Sequence, residues 1–160
     1  MWEITMNPTD QSILLRLSLA LILAGVLGWE REESGKPAGL RTHMLVGMAA
    51  VLFVVLGELF VLRFDQYSEN MQFDPIRIVE AVVTGISFLG AGSIFVTHER
   101  NRVKGLTTAA SILATAAVGM IVAVERYALA IGSTVLVFIV LRVVNFLEAK
   151  LEKKDRRERN

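Results

Sequence analysis

The 160-residue sequence has no cysteine, three prolines, two histidines and an aromatic share of only 8%. Without cysteine there is no disulfide, thiolate nucleophile or cysteine-bound metal, and imidazole can come only from His43 and His98. Both histidines fall at loop positions typical of solvated side chains. The sequence also lacks a Gly-Lys-Ser/Thr phosphate loop, a metal-spaced histidine cluster and a nucleophile elbow, so no enzymatic activity is expected. Basic and acidic residues nearly cancel, 17 against 16, which gives no support to nucleic-acid binding.

Apolar residues are abundant: 53% of the chain before glycine is counted, above the roughly 45–50% usual for soluble domains with glycine included. They gather into five runs long enough for a helix to cross a hydrocarbon core of about 30 Å. The runs are Ile13 to Trp29, Met44 to Leu62, Ile78 to Thr97, Leu106 to Val124 and Tyr127 to Leu147. None alternates polar and apolar residues as an outer-membrane strand does, and a helix satisfies its own backbone polar groups in lipid. The expected fold is an all-α membrane protein, one five-span domain over residues 1–147 with a charged tail at 148–160. Asp74-Pro75 has the chemistry of an N-cap and first helical residue for the third span. The tail is expected to extend the fifth helix into water.

Orientation follows from the basic residues, which are retained on the cytoplasmic side of short loops. The first and third loops and the tail hold Arg31, Lys36, Arg41, Arg100, Arg102, Lys104, Lys150, Lys153, Lys154, Arg156, Arg157 and Arg159. The opposite side holds Arg63, Arg77 and Arg126. Twelve against three predicts an outside N-terminus and a cytoplasmic tail. The start lacks a basic n-region and a small-residue cleavage pattern, so the first span is expected to be retained.

Small residues crowd the third and fourth spans. Gly85, Gly90, Gly92 and Gly105 are the expected close-packing positions, between these helices or across a homo-oligomer contact. Alternatively, Gly90-Ala91-Gly92 loosens its helix and opens carbonyls to a cavity. At the cytoplasmic side, Glu30 and Arg31 leave the first span where Arg41 and Thr42 enter the second. Their charges could form an ion-pair clamp across the loop, or Arg41 and the helix N-terminus could grip a phosphate or carboxylate. Toward the outside, Glu58 and Glu80 could pair with Arg16 or Arg77, or join Asp65, Glu69 and Asp74 in a weak, oxygen-only Mg²⁺ surface. No other cofactor is expected. Arg142 is expected to snorkel to the headgroups.

Four strings, Gly28-Trp29-Glu30-Arg31, Ala38-Gly39-Leu40-Arg41-Thr42, Gly85-Ile86-Ser87-Phe88-Leu89-Gly90-Ala91-Gly92 and Gly105-Leu106-Thr107-Thr108-Ala109-Ala110, resemble the signature of the MgtC/SapB family of bacterial inner-membrane proteins. The resemblance implies a multi-pass inner-membrane protein linked to magnesium homeostasis and growth under magnesium limitation. It also implies a link to virulence and action through other membrane proteins, the ATP synthase among them. Many members have glutamine where this chain has Ala81, and many carry a soluble cytoplasmic domain, so the chain reads as a short form. A transporter or channel for an ion or small solute is the competing expectation. Thr84, Ser87, Ser93, Thr108, Ser111 and Thr115 would then line a polar path rather than bond across helices.

The two halves of the chain also echo each other. Gly39-Leu40-Arg41-Thr42 before the second span matches Gly105-Leu106-Thr107-Thr108 before the fourth, as a duplicated, parallel two-helix hairpin would. The two turns would then adjoin, and Arg41, Thr42, Thr107 and Thr108 would form one anion-attracting surface.

Overall fold

A computed structural model describes residues 9–64, 74–97 and 102–158. Five helices account for nearly all of it: α1 (Asp10–Glu33), α2 (Leu40–Phe64), α3 (Pro75–Gly92), α4 (Leu106–Ala123) and α5 (Tyr127–Glu158). The first four are long and apolar enough to cross a membrane. In α5 the apolar stretch is Tyr127–Val143, and the helix then runs on through the charged tail.

The helix ends follow local chemistry. Asp74 caps α3 by accepting the Ile76 N–H at 3.0 Å, with Pro75 in the first turn. Thr9 caps α1 in the same way through Ser12. Gly35, at φ +62°, ends α1 in a left-handed turn whose N–H donors return to Glu32 and Arg31. The turn after α4 has the same bonding pattern but places Glu125, at φ +60°, where glycine is the usual residue.

The third apolar run does not stay helical to Thr97. Its helix stops at Gly92, and Phe95–Thr97 pairs with Arg102–Lys104 as a two-stranded antiparallel hairpin, β1 and β2. The β-branched Ile94, Val96 and Thr97 suit a strand better than a last helical turn. Gly105, at φ +94°, then redirects the chain into α4. A Cβ there would stand 2.0 Å from the Ser93 carbonyl oxygen, so glycine is obligatory on two counts.

The bundle is organised around α4, half of whose apolar window is buried, against 17% in α3. One core joins Ala20 and Leu23 of α1, Val51 and Val55 of α2, Val118 and Val122 of α4 and Ala130 of α5. A second joins Val46 and Ala50 of α2, Val82 and Ile86 of α3, and Ile112 and Ala116 of α4.

Between helices, the closest approaches fall at glycines other than the expected set. A Cβ on Gly119 would lie 2.4 Å from the Gly47 carbonyl oxygen, and one on Gly47 would lie 2.7 Å from the Ala24 Cβ. The mid-bundle seam of α1, α2 and α4 is therefore built on Ala24, Gly47 and Gly119. Of the expected positions, Gly90 does pack, 3.3 Å from the Ala109 Cβ, and Gly105 makes the turn just described. Gly85 and Gly92 meet nothing within 4 Å and face outward. We expect Gly119→Ala to lower the unfolding midpoint in detergent, by the roughly 1–3 kcal/mol of an overpacked core or more. Gly92→Ala should leave the midpoint unchanged or raise it.

Candidate functional site

The second half of α1 and the first turn of α2 meet where the charged motif residues lie. Gly28 permits the meeting, because a Cβ there would come within 2.8 Å of the Leu40 Cα and 2.9 Å of the His43 Cβ. Gly39 admits the Glu32 carboxylate, which accepts the Leu40 N–H at 2.8 Å and satisfies one of the free donors at the start of α2. The connection between the first two spans is thus pinned by backbone contact at one point and by a carboxylate at another.

Behind this connection lies a buried polar cluster. Glu30 is 1% exposed, and Arg31 and His43 are fully buried. Sequence neighbours on a helix do not normally face each other, yet here the Arg31 guanidinium bonds the Glu30 carboxylate directly. Glu30 Oε1 also accepts from Ser34 Oγ at 2.9 Å. Arg31 Nη2 donates to the Leu141 carbonyl at 3.2 Å, fastening α1 to α5, and Arg142 pairs with Glu33 at 2.8 Å beside it. Arg142, although exposed, is therefore tied to α1 rather than simply extended toward headgroups. Arg31 Nη1 is buried with no hydrogen-bond partner among the described residues.

His43, expected in a solvated loop, instead lies inside the first turn of α2 and joins it to α4. Its Nδ1 faces the Gly39 carbonyl oxygen at 2.9 Å, and its Nε2 lies 3.1 Å from Ser111 Oγ. A carbonyl can only accept, so Nδ1 carries a hydrogen. In the neutral ring Nε2 is then an acceptor, and the single Ser111 hydroxyl hydrogen is shared between it and the Thr108 carbonyl 2.8 Å away. The imidazolium would satisfy all three groups at once.

The expected site residues thus fall into two sets. Glu30, Arg31 and Thr108 are buried, whereas Arg41, Thr42 and Thr107 are exposed at the same end. The ion-pair clamp to Arg41 does not form: Glu30 takes its own neighbour, and Glu32 makes the contact across the loop through a backbone N–H. Sequence reasoning missed Glu32 and placed His43 in a loop, whereas Ser111, weighed between lining a path and bonding across helices, bonds across to His43. Residues 43, 46, 47, 50 and 51 are buried at helical spacing and His43 begins that inward face, which the nearly uniform apolar sequence of α2 does not mark.

A second cluster closes the opposite end. Arg16, 5% exposed, donates through Nη1 to Glu58 at 3.1 Å and to the Ala123 carbonyl at 2.9 Å, and through Nη2 to Glu125. This explains the left-handed Glu125: a carboxylate at that turn holds the buried arginine. The Arg16–Glu58 pair matches expectation. Glu80 is exposed on α3 and makes no ion pair among the described residues. Glu58 is therefore committed to arginine, and among the described residues no three acidic or histidine side chains could hold a metal ion. Asp65 and Glu69 lie outside the described residues.

Removing one partner of a buried pair strands the other, at a cost of about 3–5 kcal/mol, whereas an apolar pair of similar volume is often neutral. We expect Glu30→Gln to lower the unfolding midpoint in SDS titrations sharply, and the Glu30→Leu, Arg31→Met double variant to recover most of the loss.

The profile of the MgtC family matches residues 17–150. The YhiD protein of Escherichia coli K12, named as a candidate magnesium transporter, is 43% identical over 145 residues, 89% of this chain and 65% of its own length. The MgtC protein of Brucella abortus strain 2308 is 36% identical over 136 residues, 85% of this chain and 52% of its own. SapB of Bacillus subtilis is 29% identical over 155 residues, 94% and 66% of the two chains. The chain thus spans about half to two thirds of the length of these relatives, and no solved structure matches it. Together with its apolar helices, the match establishes the chain as a multi-pass membrane protein that belongs to the MgtC family.

Proposed function

We propose that the protein serves magnesium homeostasis in the bacterial inner membrane without catalysing a reaction, by contacting other membrane proteins through the face that carries Arg41, Thr42 and Thr107. The observation that carries this reading is the division of polar groups at that end. Glu30, Arg31, His43 and Ser111 bond to one another and to backbone, while Arg41, Thr42 and Thr107 are left exposed around them. A buried frame that holds a small polar surface suits recognition of a carboxylate or phosphate on a partner. The hydroxyls support the same reading: Ser93 and Thr115 bond carbonyls of their own helices, Ser111 reaches across to His43, and Thr84 and Ser87 lie on the exterior. In this reading the ATP synthase is one partner to test, and the face points to the cytoplasm.

Transport is the second reading, favoured by the magnesium-transporter name of the Escherichia coli relative. Within it, Thr84, Ser87 and the outward Gly85 and Gly92 would line a path formed between copies of the chain.

The natural absence of cysteine makes single-cysteine labelling clean. A cysteine at position 34 should react with an impermeant thiol reagent only from the cytoplasm, and one at position 126 only from outside. The reverse pattern would invert the topology. Function is tested by pairing growth with flux. Arg41→Glu should abolish rescue of a deletion strain under magnesium limitation at normal membrane abundance, while wild-type protein in liposomes should pass Mg²⁺ no faster than empty liposomes. Protein-dependent Mg²⁺ flux would replace the contact reading with the transport reading.

A further inference from the structure

A groove of about 790 Å³ runs between α2 and α3. Its α2 wall extends from Leu45 to Val61 and its α3 wall from Ile78 to Leu89, and both are apolar. Ala49 and Gly57 on one side and Ala81 and Gly85 on the other give it depth. Among the described residues, the only charged ones that line it are Asp74 and Arg77, together at the end where α3 begins. The α3 wall rises about 16 Å and the α2 wall about 24 Å along their helix axes at about 1.5 Å per residue. Both fall short of a hydrocarbon core of about 30 Å.

Among the described residues, charge is therefore confined to one end of an apolar slot shorter than the hydrocarbon core. The two charged groups are also open to other partners. The Arg77 side chain is 85% exposed and that of Asp74 is 48% exposed, and their mutual contact, Nε to Oδ2, is 3.9 Å. Asp74 Oδ1 is used by the Ile76 N–H, which leaves Oδ2 beside the Arg77 guanidinium. A cation and an anion held side by side at the mouth of an apolar slot complement a headgroup that itself carries a phosphate and an ammonium.

We propose that this groove binds a phospholipid with a primary-amine headgroup, its phosphate on Arg77, its ammonium on Asp74 and an acyl chain between α2 and α3. A primary ammonium donates hydrogen bonds to a carboxylate, which a quaternary one cannot do, so the site discriminates ethanolamine from choline headgroups. A helix from a second copy would cross the full bilayer and has no use for a charge pair at one end only.

The experiment is lipid retention. The full chain is purified from nanodiscs of equal parts phosphatidylethanolamine and phosphatidylcholine, and the lipid that survives detergent washing is quantified by mass spectrometry alongside the oligomeric mass. Wild-type protein should retain the ethanolamine lipid over the choline lipid by about tenfold, the lower end of the scale of one hydrogen bond to a charged group. Asp74→Asn keeps a capping oxygen while removing the charge, and should bring the ratio near one. Arg77→Gln should weaken retention of both lipids. Gly85→Leu fills the slot where an added Cβ meets no protein atom within 4 Å, so it should fold normally and lose both lipids without a change in oligomeric mass. Equal retention of the two lipids by wild-type protein, or an unchanged ratio in Asp74→Asn, would overturn the proposal. So would a Gly85→Leu variant that changes oligomeric mass while keeping its lipid, which would assign the groove to a second copy.

Discussion

The Arg31 guanidinium is fully buried inside a membrane protein, and the architecture at that end of the bundle is arranged to keep it there. A charge at such depth is tolerable only when paired and hydrogen-bonded. Glu30 supplies the opposite charge, the Leu141 carbonyl supplies an acceptor from α5, and the close seat of α2 over Gly28 excludes solvent. Each of these requirements fixes a helix. The pairing of α1 with α2 and the docking of α5 are therefore consequences of satisfying one arginine as much as of burying apolar surface. Apolar surface gives helices no strong reason to associate within lipid.

The same solution appears at the other end of α1. Arg16 is held by carboxylates from α2 and from the α4–α5 turn and by the Ala123 carbonyl. One helix thus carries a buried arginine near each end, and each arginine collects the neighbours that α1 must touch. Between the two, Ala24, Gly47 and Gly119 let three backbones approach without side chains intervening. α3 stands apart from this frame, packing mainly through Val82, Ile86 and Gly90, and leaves the groove beside α2.

Much of this was legible in the sequence, and the parts that were not share a cause. Apolar length gave the helices, the Asp74-Pro75 pair gave the start of α3, and the intramembrane Glu58 pointed to Arg16 because a lone carboxylate at depth needs a cation. The rotation of a nearly uniform apolar helix leaves no such mark. Gly47 and Gly119 are decisive only because they face each other, and Gly85 and Gly92, equally small, face outward. His43 was misplaced because a histidine at a span boundary has the same local sequence whether its helix turns it toward water or toward Ser111. The hairpin of β1 and β2 was hidden by hydrophobicity: Ile94-Phe95-Val96-Thr97 extends an apolar run, and its β-branched composition was the contrary signal. The motif residues were found as a group, but their division into a buried frame and an exposed surface needed the fold.

In the proposed function the buried frame acts through the exposed surface, with Glu30 holding the end of α1 beside which Arg41 and Thr42 stand. The most direct test is a double-mutant cycle between Glu30→Gln and Arg41→Lys, which retains the charge and part of the function, read as growth rate under magnesium limitation at matched membrane abundance. If the two positions serve one contact, the double variant will grow no worse than the worse of the two single variants. Defects that multiply would show that the buried cluster and the exposed arginine work independently, and would contradict the account.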